Sequence, residues 1–497
     1  MREARIPLLS KSRFIAGLQC QKRLYFECFN RDLADSVDQQ TQAIFDAGTE
    51  VGAVARGLYP GGRLVSEDHF HHNEAVASTN RLLADPAIPA IFEAAFQYDD
   101  VKIRADVLAR TGDGGFDLIE FKSTTKLKNE HIPDISVQAY VLHGSGIDLR
   151  HAYMGYLNNT YVYKGGDYDL RRLFKIEDVT GQVREMQSQI PTLLDEMRRP
   201  LRGTEPPDIE PGSQCSSPYV CPFLGHCNEE LPEHSVQRLP RVSEKLLQSL
   251  ASAGIDDIRR IPPDFPGLSP VHRRIRDCVI DDRVYLSSTI QKHLEQWKFP
   301  IHFLDFETFN PALPLFVGTR PYQMIPFQWS DHVLEHAGTL RHEQFLHEGS
   351  DDPRIPFVES LLKTLGTKGS IVVYTSFEAT RIRELAEAFP RLAAELLGLI
   401  DTRIVDLAEL IRKHCYHPKF HGSFSIKSVL PALVPALGYE DLDINDGAMA
   451  SLAYVEMRRA ETDPERRHML KDGLLKYCAR DTEAEVRLFE TLKGRLR

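Results

Sequence analysis

The apolar and polar positions divide the chain into three stretches. Residues 1 to about 100 read as mostly helical, and "DAGTEVGAVARGLYP" keeps helical spacing until Pro60. In "VKIRADVLARTGDGGFDLIEFKSTT" two strand-like runs flank the turn signal "TGDGG". "HIPDISVQAYVLHGSG" predicts a helix ending at glycine. "HAYMGYLNNTYVYKGG" predicts a hairpin with Asn158 and Asn159 at its turn, and "DVTGQVREMQSQIPTLLDEMRR" one further helix. Residues 230–298 are rich in proline, charge and short helical signals, and read as a helical connector. A new α/β pattern starts at Ile301. The expected architecture is an α/β multidomain chain divided as 1–229, 230–298 and 299–497, without tandem repeats or low-complexity tracts.

Length agrees with that division, because 497 residues exceed one ordinary core. An apolar content of 42% and a charged content of 26% fit a soluble globular protein. No apolar run is long enough for a membrane span, and "MREARIPLLSKSRF" lacks the apolar core of a signal peptide, so a cytoplasmic protein is expected. A net charge of -11 argues against coating nucleic acid by general charge attraction. It permits an enzyme whose acidic site holds metal ions, since the ions reverse the local field.

Chemistry enters with "IHFLDFETFN". Asp305 and Glu307 lie two apart in an apolar strand, so they share a face at a separation of about 7 Å. Two acids on one face repel unless a cation compensates them, and Mg²⁺ or Mn²⁺ prefers such oxygen ligands. "LKYCARDTEAEVRLFE" places Tyr477 and Asp481 four apart on one helical face. "VVYTSFEATRIREL" places Glu378 at a helix start after a buried strand. With these motifs, residues 299–497 resemble the DEDD exonucleases of the RNase H-like superfamily, in the subtype with a catalytic tyrosine. The D-x-E motif matches Asp305 and Glu307, and the Y-x-x-x-D motif matches Tyr477 and Asp481. The middle motif, usually Asp after an aromatic residue, is here Glu378 after Phe377. "DTRIVDLAELI" and "SFSIKSVLPAL" also resemble segments between the family's middle and last motifs. The resemblance implies two divalent ions and a tyrosine that orients the attacking water.

A second constellation lies upstream. Asp106 is in the first strand of the "TGDGG" pair, and Glu120 and Lys122 share a face of the second. Such a group either holds a metal beside a lysine or forms a plain cross-strand ion pair. It resembles PD-(D/E)xK nucleases of the RecB-like branch, in which a helix after E-x-K carries a glutamine, here Gln138. The family's frequent tyrosine four residues beyond is replaced by Leu142, with Tyr140 two beyond. Its early-helix histidine corresponds to Gly52, with Glu50 nearby, and Glu93 is a candidate auxiliary acid.

Of eight cysteines, Cys215, Cys221 and Cys227 form a trio, and Cys20 lies far upstream. RecB-like nucleases of the CRISPR-adaptation and AddB types place one cysteine before the nuclease core and three after it. The resemblance, over residues 9–230, implies a [4Fe-4S] cluster on these four thiolates, with Zn²⁺ as the alternative and Cys28 as a substitute ligand. Cys278, Cys415 and Cys478 read as buried thiols.

In the connector, "SEKLLQSLASAGIDDIRRIP" is loosely similar to a helix-hairpin that touches DNA backbone, and Arg273, Arg274 and Arg276 follow it. A solvated spacer is the other reading. The whole layout resembles predicted RecB-family nucleases of bacteria and archaea. It implies a metal-dependent nuclease acting on DNA that is single-stranded or has free ends, with 3′ to 5′ polarity for the C-terminal half. Two alternatives stay open: RNA as substrate, and one half serving as a catalytically silent binding scaffold.

Overall fold

The computed structural model describes residues 6–36, 39–228 and 231–494, and is an α/β protein of two compact units. Unit 1 comprises Met1–Glu230 and the segment Pro311–Gln323; unit 2 comprises Leu231–Asn310 and Met324–Arg497. Residues 231–298, read above as a connector, thus belong to unit 2. Their helices Glu244–Ser252 and Pro270–Ile280 bury Leu246, Leu250, Ile275 and Cys278. Their short strand Tyr285–Leu286 pairs with Cys415–Tyr416. Arg274 donates to the carbonyls of Arg412 and Lys413, and Arg276 to that of Ile261. Two of the three arginines offered above as phosphate contacts, beside the reading as a solvated spacer, are therefore engaged inside the unit. Among the described residues no helix is long and apolar enough to cross a membrane.

Unit 1 opens with helices α1 (Lys11–Gln19) and α2 (Gln21–Phe29). Its mixed sheet carries, in spatial order, β1 (Ala90–Tyr98), β2 (Val101–Arg110), β3 (Phe116–Lys122), β4 (Leu149–Leu157) and β5 (Phe174–Asp178). The first three form an antiparallel meander. β4 joins β3 in parallel, a connection made through helix α3 (His131–Gly144). β1 is a correction to the mainly helical reading of this region. Its Ile91, Phe92, Ala95 and Phe96 are buried, and pairing with β2 overrides the helix preference of its alanines. The expected single helix before the cysteine trio is two, Thr180–Gln187 and Ile190–Leu201, with Pro191 in the first turn of the second.

The hairpin expected at Asn158 and Asn159 does not form. The Asn158 side chain instead accepts from the Thr160 N–H, closing a local turn. The following residues find backbone partners elsewhere: Tyr163 exchanges hydrogen bonds with Gly318 and Thr319. β4 pairs antiparallel with β5 in their place.

Unit 2 holds a five-stranded sheet in the order β8–β7–β6–β9–β10. These are β6 (Ile301–Phe309), β7 (Ile325–Leu334), β8 (Leu340–Leu346), β9 (Ser370–Val373) and β10 (Ile404–Asp406). β6, β7 and β8 are antiparallel, whereas β9 and β10 continue in parallel from β6. Central β6 is covered on both faces, which explains why its apolar residues lie on both sides of the strand. Leu304 and Phe306 pack with Phe357 and Val358, while Phe303 meets Phe489 of the long helix Pro464–Gly494. The side chains of Asp305 and Glu307 share the face of Phe303.

Gly369 fixes the entry to β9. It has φ +89°, and a Cβ there would overlap the Pro300 carbonyl oxygen at the start of β6. Gly369→Ala is expected to lower unfolding free energy by about 1–3 kcal/mol from backbone strain alone. Equilibrium denaturation checks this, with a reduced midpoint at unchanged slope as the expected result.

Candidate functional site

Three elements converge beside β6: α4 (Phe377–Ala388), α5 (Ile426–Leu433) and α6 (Pro464–Gly494). Asp305 is partly exposed, whereas Glu307, Glu378, Asp481 and Glu485 are buried. Asp305, Glu307 and Cys478 have donor atoms all within 4.8 Å of one another, the sole such trio among the described residues. The Cys478 Sγ lies 3.5 Å from Asp305 Oδ2. Tyr439 donates to Asp481 Oδ1. One oxygen each of Glu378 and Glu485 is buried without a partner.

The electrostatic consequence is uniform. Burial first, then Asp481 and other carboxyls, pushes Asp305 and Glu307 well above the usual carboxylate range. Burial lifts Glu378 to about 8 and Asp481 to about 6, and raises Glu485 as well. Lys427 of α5 lowers Glu307 and Asp481 from the rim, where its Nζ lies 5.8 Å from the Tyr439 ring and 5.9 Å from the Tyr477 ring. Burial, and next Asp481, holds the Tyr477 phenol far above its ordinary value, so it stays protonated. Sequence reasoning missed Glu485, Tyr439, Lys427 and Cys478. Glu485 was within reach, because Tyr477, Asp481 and Glu485 repeat every four residues on one helical face.

The acids of unit 1 are arranged differently. Asp106 Oδ2 accepts the Phe121 N–H at 2.8 Å. Glu120 Oε1 receives two ammonium groups, Lys11 Nζ at 2.6 Å and Lys122 Nζ at 2.8 Å, and Oε2 receives Gln138 Nε2 at 3.0 Å. Lys122 also pairs with Asp134, and Lys11 lies 3.9 Å from the same carboxylate. Burial opposes charge on Glu120, but Lys11 and Lys122 outweigh it and bring the carboxyl down to about 2. Asp106 is raised to about 7 by burial and then by Glu120. The structure thus brings together Asp106, Glu120, Lys122 and Gln138, and adds Lys11 and Asp134. Tyr140 donates to Asp99, and Glu93 pairs with Arg56 and Arg104. A Cβ on Gly52 would meet open space.

Residues 302–425 match the family model described as a domain of unknown function, DUF2779. The matched stretch contains Asp305, Glu307 and Glu378 but ends before Tyr439, Tyr477 and Asp481. No curated protein matches the chain.

Cys20, Cys215, Cys221 and Cys227 line one cavity with Phe26 and Phe223. Cys20 sits between α1 and α2. Gln19 Nε2 ties this corner to the trio's loop by donating to the Gln214 and Tyr219 carbonyls, each at 2.6 Å. The Cys221 N–H donates to the Cys215 carbonyl, and burial pushes the Cys221 thiol up to about 11. Because the Asp305 trio is the sole close group among the described residues, no three of these sulfurs lie within 4.8 Å of one another. A zinc tetrahedron places its sulfurs about 3.8 Å apart. Cys28 is partly buried against the apolar core of unit 1 and does not line the cavity.

Proposed function

We propose that the chain is a divalent-metal-dependent nuclease whose hydrolytic site is the acid cluster of unit 2. One observation carries this reading: five converging carboxyls all have raised proton affinity despite Lys427 at the rim and Arg480 beside Asp481. Such a cluster favours cations strongly and explains why an apolar strand carries two acids. Asp305, Glu307, Glu378 and Asp481 are the ligands for Mg²⁺ or Mn²⁺ in this reading. Divalent ions there supply Lewis acidity and neutralise charge developing on a phosphodiester.

The chain's own groups do the rest. Tyr439 holds Asp481 in place by its hydroxyl. Lys427 offers a positive charge at the rim where a phosphate enters. Tyr477, kept protonated, orients a water by hydrogen bonding rather than removing its proton. The mixed sheet with the D-x-E strand at its centre supports an RNase H-like scaffold, and the antiparallel Asp106–Glu120 strands followed by the Gln138 helix support a RecB-like one. The substrate is DNA with single-stranded character or free ends, degraded from the 3′ end. Matched RNA competing equally well in the same assay would transfer the reading to RNA.

The cysteine cavity is the place for the [4Fe-4S] cluster, held by Cys20, Cys215, Cys221 and Cys227. Four thiolates are the usual ligand set of such a cluster, and the four cysteines lining one cavity support this reading, with a zinc ion as the alternative.

The test is digestion of 5′- and 3′-labelled single-stranded DNA with Mn²⁺. Wild type is expected to shorten strands stepwise from the 3′ end. Tyr477→Phe is expected to slow this by about 10²-fold or more while keeping stabilisation by Mn²⁺ in thermal melts. Loss of both together would make Tyr477 a packing residue.

A further inference from the structure

Lys11 had no place in the sequence reading, yet it is anchored with care. Leu9 and Ser10 pair in parallel with Val101 and Lys102 at the start of β2. Ser10 then caps α1 by accepting the Arg13 N–H. The Arg13 guanidinium binds the Leu8 carbonyl. The first residue of α1 is thereby held beside the acid-bearing strands, and its Nζ reaches Glu120 Oε1.

The donor set of unit 1 does not fit a divalent ion in this arrangement. Glu120 has both oxygens engaged, one by two ammonium groups and the other by an amide. Asp106 gives one oxygen to a backbone N–H. An ion entering here would displace Lys11 or approach two ammonium charges in a poorly screened interior. The early-helix position that a histidine ligand would fill is Gly52, with open space at its Cβ.

We propose that Lys11 is the resident cation of this cluster, filling with its ammonium group the place of a divalent metal, so that unit 1 is metal-independent. The proposal rests on the reading of Asp106 and Glu120 as a RecB-like metal pair.

Mn²⁺ binding, followed by electron paramagnetic resonance on the full chain, tests this independently of activity. Asp305→Asn with Glu307→Gln provides a background that weakens the unit 2 site. With Lys11 present, no binding that Asp106→Asn removes is expected. Lys11→Met, or the polar Lys11→Gln if Met impairs folding, is expected to gain one Mn²⁺ equivalent, at least tenfold tighter than before and lost again with Asp106→Asn. Asp106-dependent Mn²⁺ binding with Lys11 intact would overturn the proposal and leave the RecB-like reading standing. No gain in folded Lys11→Met or Lys11→Gln protein would overturn both.

Discussion

Asp305→Ala is expected to reduce Mn²⁺-dependent 3′ digestion by about 10³-fold or more, the scale of removing a principal electrostatic group from a catalytic site. The same change is expected to stabilise the metal-free protein, because it removes one of five mutually repelling carboxyls. The pH dependence follows from the direction of the shifts. These carboxyls bind protons more tightly in the folded chain than in the unfolded one, so folding favours the protonated forms. Stability of metal-free wild type is therefore greatest near the unfolded carboxyl range and falls as pH rises. The loss passes through about 6 for Asp481 and about 8 for Glu378. Each tenfold change in proton affinity is worth about 1.4 kcal/mol. Calorimetric melts at pH 5 and pH 8 check this: wild type is expected to melt lower at pH 8, with a smaller difference in Asp305→Ala. Mn²⁺ at a hundredfold excess over Kd adds about 2.7 kcal/mol to wild type. It is expected to add nothing comparable to Asp305→Ala. A metal-free variant that melts below wild type at both pH values, with Mn²⁺ response intact, would remove Asp305 from the ligand set.

The two acid clusters share residue types yet differ in demand for a cation. In unit 2 burial and mutual repulsion outweigh the nearby cations, Lys427 at the rim and Arg480 beside Asp481, so the carboxyls rise. In unit 1 two ammonium groups touch the same oxygen, so Glu120 falls to about 2. A motif search treats D-x-E and E-x-K as equivalent evidence for metal. The difference arises from Lys11, which is distant in sequence from Glu120 and reaches it by way of the pairing of Leu9 and Ser10 with β2.

What the sequence made legible was local. The spacing of Asp305 and Glu307 on a strand, and of Tyr477 and Asp481 on a helix, follows from backbone periods alone. So does the turn between β2 and β3. What it hid was tertiary. Tyr439 reaches Asp481 from a loop, and Lys427 from α5, with no periodic relation to either acid motif. The strand-like "TYVY" after Asn159 has the composition of a hairpin arm, but residues 318 and 319 supply its backbone partners. Ala90–Tyr98 has alanine-rich composition and becomes a strand because β2 pairs along its length. Among the cysteines, order along the chain was enough to select Cys20 with the trio. Cys28 is set apart from them only by lying outside the cavity they line.

Replacement of Cys20 by serine is expected to release the start of unit 1 from its end. Cys20 lies between the first two helices, while its three partners follow the last long helix of the unit. A cluster bridging them would close a loop containing nearly the whole sheet of unit 1. The chain-entropy account of so long a closure gives about 5 kcal/mol of stabilisation, comparable with the net stability of many domains. The Gln19 contacts to Gln214 and Tyr219 are neutral hydrogen bonds, worth about 1 kcal/mol each, and cannot replace it. Anaerobically purified wild type is expected to be coloured and to carry iron and acid-labile sulfide in equal amounts. Cys20→Ser is expected to lose most of both and to show faster proteolysis within unit 1. Cys28→Ser, altering a thiol outside the cavity, is expected to keep the iron and sulfide. Zinc at one equivalent, with iron absent, would replace the cluster by a single ion.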